Sequence, residues 1–408
     1  MLTNRNIVLG VTGGIAAFKV AELASQLTKA GAVVDVIMTR EATEFVTPLT
    51  FQALTQRPVT IEMFRLLTET KIAHISLASR AEILVIAPAT ANTIARMACG
   101  LADDILTATV LSTRAPILIA PAMEENMLTS PITQENIAKL KERGMMFVEP
   151  EFGRLASGKI GKGRMAEVDD ILVAIRKILA RNADMAGKKV VITAGGTHEP
   201  IDPVRFIGNR SSGKMGFALA EAARDRGAEV TLILGPTYLQ PPKGIEVVGI
   251  ETALDMKKAV EAAVKDADVL IMAAAVADFR VEQPAAQKIK REKLDGLDIH
   301  LVKNPDILGQ ISSERLFKVG FAAESQNLLE NAKAKLEKKH LQLIVANDIT
   351  SLGSGFGVET NKVTFIDVSG AVTELPLMSK REVADEVLNR VLSLMGNSRL
   401  FTGLSQRT

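Results

Sequence analysis

The chain has 408 residues and a formal net charge of +2, so it carries no surplus of charge with which to hold a polyanion. Hydrophobic residues make up 47% against 4% aromatics and no Trp, the make-up of two or three α/β domains packed with Ala, Val, Ile and Leu. The single cysteine, Cys99, excludes an internal disulfide, no apolar run is long enough to span a bilayer, and the first ten residues hold no signal-peptide pattern, so cytoplasm is the expected location.

In chain order, short apolar runs alternate with helical patterns. Strands are predicted over 7–11, 33–38, 83–87, 117–120 and 145–148, and helices over 15–30, 91–98, 103–112, 133–143 and 168–180. That alternation predicts a mostly parallel sheet covered on both faces. Residues 181–187 read as a linker between a domain over 1–180 and a second over 188–397. The pattern then restarts with a strand at 189–193, a glycine loop, a helix at 217–226 and a strand at 229–234. Strands at 245–250, 269–273, 319–322 and 343–346 follow, with helices at 253–265 and 328–339. Residues 363–367 read as an edge strand, 381–395 as a closing helix, 283–296 as a mobile loop and 398–408 as a frayed tail. Each half opens with strand, glycine loop, helix, Gly and strand, which predicts two nucleotide-type α/β domains in tandem.

The longest conspicuous loop runs from Thr193 to Gly216 at the carboxyl end of a predicted parallel strand, where open α/β sheets bind ligands. Gly195 and Gly196 are expected to let backbone N–H groups approach an anion. Arg205, Asn209, Arg210 and Lys214 offer donors to phosphate or carboxylate. Ser211 or Ser212 is expected to cap the next helix. In the first half, Gly10-Val-Thr-Gly-Gly-Ile-Ala-Ala-Phe-Lys19 joins a strand to a helix, as a phosphate cradle with Thr12 adding a hydroxyl, or as a bare βα turn. It lacks the dinucleotide Gly-x-Gly-x-x-Gly, and Met38-Thr-Arg40 supplies no acid for a ribose, which points to a mononucleotide. Ala87-Pro-Ala-Thr-Ala-Asn92 and Ala120-Pro-Ala-Met-Glu-Glu-Asn-Met127 end buried strands with small and polar residues that suit a flat ring. His74 precedes an apolar helix, as a structural or a catalytic histidine.

Together the glycine loop, His74, Pro-Ala-Thr-Ala-Asn and Pro-Ala-Met resemble the FMN-dependent cysteine decarboxylases. The loop to Gly216, Ala273-Ala-Ala-Val-Ala-Asp-Phe279 and Ala346-Asn-Asp348 resemble phosphopantothenate–cysteine ligase. In this order they resemble the bifunctional decarboxylase/ligase family of coenzyme A biosynthesis, nearly to residue 397. The resemblance implies a flavodoxin-like doubly wound parallel sheet followed by a Rossmann-like α/β domain. It implies a homo-oligomer, with trimeric decarboxylase cores and dimeric ligase domains, up to a dodecamer.

For the decarboxylase it implies FMN held by Thr12, Gly13, Gly14, Ile15, Thr39, Thr90 and Asn92, with His74 as base. The family often has an asparagine at the place of Glu124, so Asn126 becomes the stand-in for holding the substrate carboxylate. A flap that often carries a cysteine acid reads Leu155-Ala-Ser-Gly158, so the proton of the final reduction comes from Ser157, a much weaker acid, or from water or another group; Lys159, Lys162 and Arg164 stand ready for a phosphate. Cys99 reads as buried and structural. For the ligase it implies the substrates phosphopantothenate, cysteine and CTP with Mg2+, an acyl-cytidylate intermediate, and release of pyrophosphate and then CMP. Ala273, Ala274, Ala275 and Asp278 would line the cytidine site. Lys288 would stabilise developing charge. Pro305, Asp306, Ile307, Leu308, Lys335 and Lys339 would meet the triphosphate, and Phe321 the base. Asn209 would position the cytidylate, with Arg205 and Arg210 on the phosphopantothenate. His198, His300 and His340 read as structural.

Overall fold

A computed structural model describes residues 2–64, 72–290, 296–313, 315–324, 328–348, 355 and 357–402, and the chain divides into two units, Met1–Arg181 and Asn182–Thr408. In the first, strands β1 (Asn6–Val11), β2 (Val33–Met38), β3 (Val59–Thr60), β4 (Ile83–Ala89), β5 (Ile117–Pro121) and β6 (Met146–Phe147) form one parallel sheet in the order β3-β2-β1-β4-β5-β6. Helices α1 (Ala17–Lys29), α2 (Pro48–Thr55), α3 (Ala73–Arg80), α4 (Ala91–Cys99), α5 (Ile105–Ser112), α6 (Glu125–Thr129), α7 (Pro131–Glu142) and α8 (Val168–Leu179) connect and cover it, and β7 (Glu151–Arg154) pairs with β8 (Ile160–Arg164) as a separate antiparallel hairpin. Apart from the two-residue edge strand β3, this is the flavodoxin-like doubly wound order, with its reversal between β1 and β4.

The sheet is buried on both faces, and the sequence shows it. All seven residues of β4 are buried, as a continuous apolar run demands. Along β1, Ile7, Leu9 and Val11 face one hydrophobic cluster, while Val8 faces the other. Helix α1 buries Val20, Leu23, Ala24 and Leu27 at helical spacing.

The second unit repeats the plan. Its strands are β9 (Lys189–Ala194), β10 (His198–Pro200), β11 (Phe206–Gly208), β12 (Glu229–Leu234), β13 (Glu246–Gly249), β14 (Val269–Met272), β15 (Phe279–Val281), β16 (Leu301–Lys303), β17 (Phe317–Glu324), β18 (Leu343–Asp348), β19 (Thr360–Asn361), β20 (Val363–Asp367), β21 (Val372–Glu374) and β22 (Met378–Ser379). Helices α9 (Lys214–Asp225), α10 (Ala253–Ala263), α11 (Ile307–Gln310), α12 (Leu328–Lys338) and α13 (Lys380–Thr402) surround them. The main sheet runs β13-β12-β9-β14-β17-β18-β20-β21, its first six strands parallel and the last two antiparallel. Those six reproduce the Rossmann order, which reverses between β9 and β14. Along β9, Val190, Ile192 and Ala194 face one cluster and Val191 the other.

Several expectations need correction. Val363–Asp367 lies one strand in from the edge, because β21 pairs outside it. The closing helix runs on through Thr402 rather than fraying at 398, and 403–408 lie outside the described residues. The loop from Thr193 to Gly216 contains the hairpin β10–β11, closed by a turn at Asp202-Pro203. Of the predicted loop at 283–296, residues 284–290 form no regular element and 291–295 lie outside the described residues. Met185 is fully buried in the second unit's core, so residues expected to link the domains also pack.

Candidate functional site

In the first unit, three loops leave the carboxyl ends of β1, β2 and β4 at the strand-order reversal. Thr12 follows β1, is buried, and donates its hydroxyl to Pro88 O at 2.6 Å while accepting from Thr90 N at 3.2 Å. That hydroxyl proton is therefore taken, and Thr12 shapes the cradle instead of donating to a phosphate as the sequence suggests. Gly13 packs on Glu41, where an added Cβ would lie 2.3 Å from the Glu41 Cβ, whereas a Cβ on Gly14 would find ordinary contact distances. Helix α1 starts without a side-chain cap; its first N–H groups, of Ala17, Phe18 and Lys19, turn inward to Gly14 O, Ile15 O and Ala16 O at 2.9, 3.4 and 3.1 Å, so the helix start offers an anion chiefly the positive end of its dipole. Thr39 accepts from Ala42 N at 3.3 Å, and Thr90 caps α4 by accepting from Thr93 N at 3.3 Å. Ile15 and Asn92 are exposed.

His74 sits in the first turn of α3, half-buried, with Nδ1 buried and without a hydrogen-bond partner among the described residues. The helix is anchored at its other end, where Arg80 and Arg57 each reach the buried Asp35 at 2.8 Å. Glu124 caps α6 by accepting from Asn126 N at 2.6 Å, which gives its carboxylate a partner and aims it at a helix start. Asn126 is exposed in that first turn. The hairpin β7–β8 docks on the same helix. Lys162 N donates to Glu125 at 2.9 Å and Met123 N donates to Gly163 O at 3.0 Å. Gly163 has φ 149°, and a Cβ there would lie 2.1 Å from Met123 O. Ser157 is exposed at the hairpin's turn, as is Lys159. Arg164 pairs with Glu167 at 2.7 Å and Lys162 with Glu149 at 3.6 Å, so both already hold carboxylates. Lys19 bonds Glu167 and is the main reason that its carboxyl lies below the usual range. Cys99, at the end of α4, is exposed and not buried as expected, because Gly100 ends the helix where it leaves the core.

In the second unit, a cavity of about 760 Å³ lies over the carboxyl ends of β9, β14 and β17. Among the sequence candidates, Asn209, Ala273, Ala274, Ala275, Asp278, Pro305, Asp306, Ile307, Leu308, Phe321, Lys335 and Lys339 line it. The motifs do not single out Lys303, Lys338 or Lys380, which line it too. With Lys214, whose ammonium pairs with Glu359, the described lining holds six lysines against two carboxylates, a cationic hollow in a chain of nearly zero net charge. The first turn of α9 adds backbone donors; Gly213, with φ 77°, takes the cap position, so neither Ser211 nor Ser212 caps this helix. Lys380 is buried and donates to Gly355 O and Val358 O. Burial first, then the charge of Lys214, pushes its ammonium below the usual lysine value. Asp306 caps α11 and pairs with Lys339 at 2.9 Å. Burial raises its carboxyl, yet Lys339 holds it below the usual range.

Three candidates lie outside that lining. Arg205 bonds Asp202 and, at 3.0 Å, Ile289 O; Asp202 also accepts from Ile289 N at 3.1 Å, so this pair ties the hairpin to the segment that carries Lys288. The hydrogen bond from Arg205 holds the Asp202 carboxyl well below the usual carboxylate range. Lys288 and Arg210 are exposed. Gly195 and Gly196 have a packing reason of their own: Gly195 has φ 81°, a Cβ on it would lie 2.7 Å from Gly235 O, and one on Gly196 would lie 3.1 Å from Asn209 O. Asn209 donates to Val276 O at 2.9 Å, which fixes it beside the Ala273–Asp278 lip.

Residues 1–180 match the family described as Flavoprotein, and residues 185–395 match the DNA/pantothenate metabolism flavoprotein C-terminal domain. Over 399 residues the chain is 46% identical to the coenzyme A biosynthesis bifunctional protein CoaBC of Bacillus subtilis (strain 168), covering 97% of this chain and 98% of that protein. It is 44% identical over 400 residues to the protein of the same name from Vibrio vulnificus (strain YJ016), covering 97% and 99%. It is 42% identical over 409 residues to that of Mycobacterium tuberculosis (strain CDC 1551 / Oshkosh), covering 96% and 97%.

Proposed function

The chain belongs to the family of bifunctional coenzyme A biosynthesis enzymes, with a flavoprotein decarboxylase domain and a ligase domain, and from that premise we propose that it turns 4'-phosphopantothenate into 4'-phosphopantetheine in two stages. The second unit comes first in the chemistry. CTP activates the substrate carboxylate as an acyl-cytidylate with loss of pyrophosphate, and the amine of cysteine then displaces CMP to give the amide. The observation that carries this reading is the cavity with six lysines, since both displacements move phosphate charge. Lys335, Lys338 and Lys339 suit the triphosphate, and the Ala273–Asp278 lip with Phe321 suits the base. Asn209 suits the acyl-cytidylate.

Mg2+ accompanies the triphosphate. Among the described residues no cluster of three metal-ligating side chains exists, and Asp278 and Asp306 are the carboxylates of the cavity. That fits an ion held mainly by phosphates with one or two carboxylates. The expected test result is CTP-dependent pyrophosphate release with phosphopantothenate, abolished by EDTA, and CMP release only when cysteine is added. Lys288→Gln is expected to slow cytidylate formation, and an unchanged rate would remove Lys288 from the mechanism.

In the first unit, the positive end of the α1 dipole and the open space beside Gly14 fit the phosphate of FMN. Bound FMN supplies the redox chemistry, taking two electrons from the cysteinyl thiol and returning them once carbon dioxide has left. His74 handles a proton, consistent with its buried Nδ1, which has no partner among the described residues. Asn126 orients the substrate carboxylate, and Ser157 on the β7–β8 turn supplies a proton in the final reduction. Ser157→Ala is expected to accumulate the enethiol, and normal turnover would exclude that role. The exposed Ile15, Phe18, Leu49 and Ile75 suit an oligomeric contact. The purified protein is expected to be yellow.

A further inference from the structure

Lys318 is the second residue of β17, inside the eight-stranded sheet, and is 4% exposed. It shares a face with Gly320, where an added Cβ would come within 2.7 Å of Leu341, and with the buried Ala322. That face packs under α11 and α12, with Ile307, Leu308, Ile311, Leu336 and Leu341 around it. An apolar residue would suit this place, since an ammonium taken out of water is costly unless well satisfied. The Lys318 Nζ donates to Ile311 O at 3.1 Å and to Lys339 O at 2.8 Å, and among the described residues no carboxylate pairs with it within ion-pair distance. Burial pushes it below the usual lysine value, and the charge of Asp306 partly opposes that.

The two carbonyls explain the expense. Ile311 follows α11, whose cap is Asp306, and Lys339 follows α12, whose last turns carry Lys335 and Lys338. Asp306 and the Lys339 ammonium close the ring from above at 2.9 Å. One buried ammonium therefore pins the carboxyl ends of both helices to the strand that presents Phe321, and so sets where the Asp306 start of α11 and the lysine-bearing end of α12 meet the cavity. A cation at the carboxyl end of α12 also suits its dipole. We propose that Lys318 is a positioning residue for nucleotide binding, holding the Asp306 and Lys335–Lys339 wall where the triphosphate must meet it. It touches no substrate itself. The inference rests on the reading of this cavity as the CTP site.

The test uses the full-length protein, Lys318→Met, and calorimetric titration with CTP and Mg2+ beside thermal unfolding. Methionine keeps the length and apolar contacts and removes the charge. The expected outcome is an unfolding temperature equal to or above wild type, with CTP affinity weakened on the order of tenfold, the equivalent of about 1.4 kcal/mol. KM for CTP should rise with it, while KM for phosphopantothenate and kcat move less than threefold. Should Lys318→Met fail to fold, Lys318→Gln, which keeps a donor without the charge, is read by the same measurements. Wild-type CTP affinity in a folded variant would overturn the inference. So would a fall in unfolding temperature with equal loss of CTP and phosphopantothenate affinity, which marks a merely structural lysine. Wild-type protein that fails to bind CTP would instead overturn the ligase reading beneath it.

Discussion

His74 Nδ1 is, among the described residues, the buried side-chain polar atom left without a partner. Such an atom costs about 1–3 kcal/mol when it stays alone, and a ligand that supplies the partner removes that cost. His74→Asn is expected to lower decarboxylation on the order of 100-fold to 10,000-fold, measured as carbon dioxide release from phosphopantothenoylcysteine, with CMP release unaffected. The residue scale is also where the sequence misleads most. Thr12 has the right chemistry for an anion, but a sequence displays a donor without showing which neighbour already uses it, nor that a glycine such as Gly195 is also required by close packing. Pro88 O takes the Thr12 proton, and Gly235 O needs the space beside Gly195. Lys380 is missed for the opposite reason. It opens a helix far along the chain, and only the fold brings it to the cavity of Lys214.

At the scale of elements, the interior strands are legible because burial on both faces demands apolar runs, as in β4 and β14. The short hairpins are not, since three residues such as His198–Pro200 show no period of two. Their pairing rests on contacts such as the stacked His198 and Phe206 rings, 3.6 Å apart. The Asp-Pro turn at Asp202 was the available sign. Asp202 accepts from Val204 N, Arg205 N and Ile289 N, and Arg205 keeps its folded pKa below the unfolded value of 3.8. Its contribution to stability is therefore present above that value and is lost as pH falls through and below it. The gap in unfolding temperature between wild type and Asp202→Asn is expected to shrink from about pH 6 to about pH 3; a gap independent of pH would contradict the assignment. For β7–β8, Gly163→Ala must break the approach to Met123 O. It is expected to destabilise the first unit by about 1 kcal/mol or more and to slow decarboxylation with CMP release intact.

At the scale of the molecule, the repeated order of strand, glycine loop and helix makes two doubly wound units legible, and each sheet reverses where its glycine loop emerges. A net charge of +2 says nothing of the six lysines gathered around one hollow, because global charge averages over surfaces that a fold keeps apart. The most direct measurement is the mass of every product formed when the full chain, with added FMN, meets phosphopantothenate, cysteine, CTP and Mg2+ in one vessel. 4'-Phosphopantetheine should appear with one CMP, one pyrophosphate and one carbon dioxide for each molecule made. Phosphopantothenate recovered intact, with CTP unconsumed, would contradict the proposal at its root.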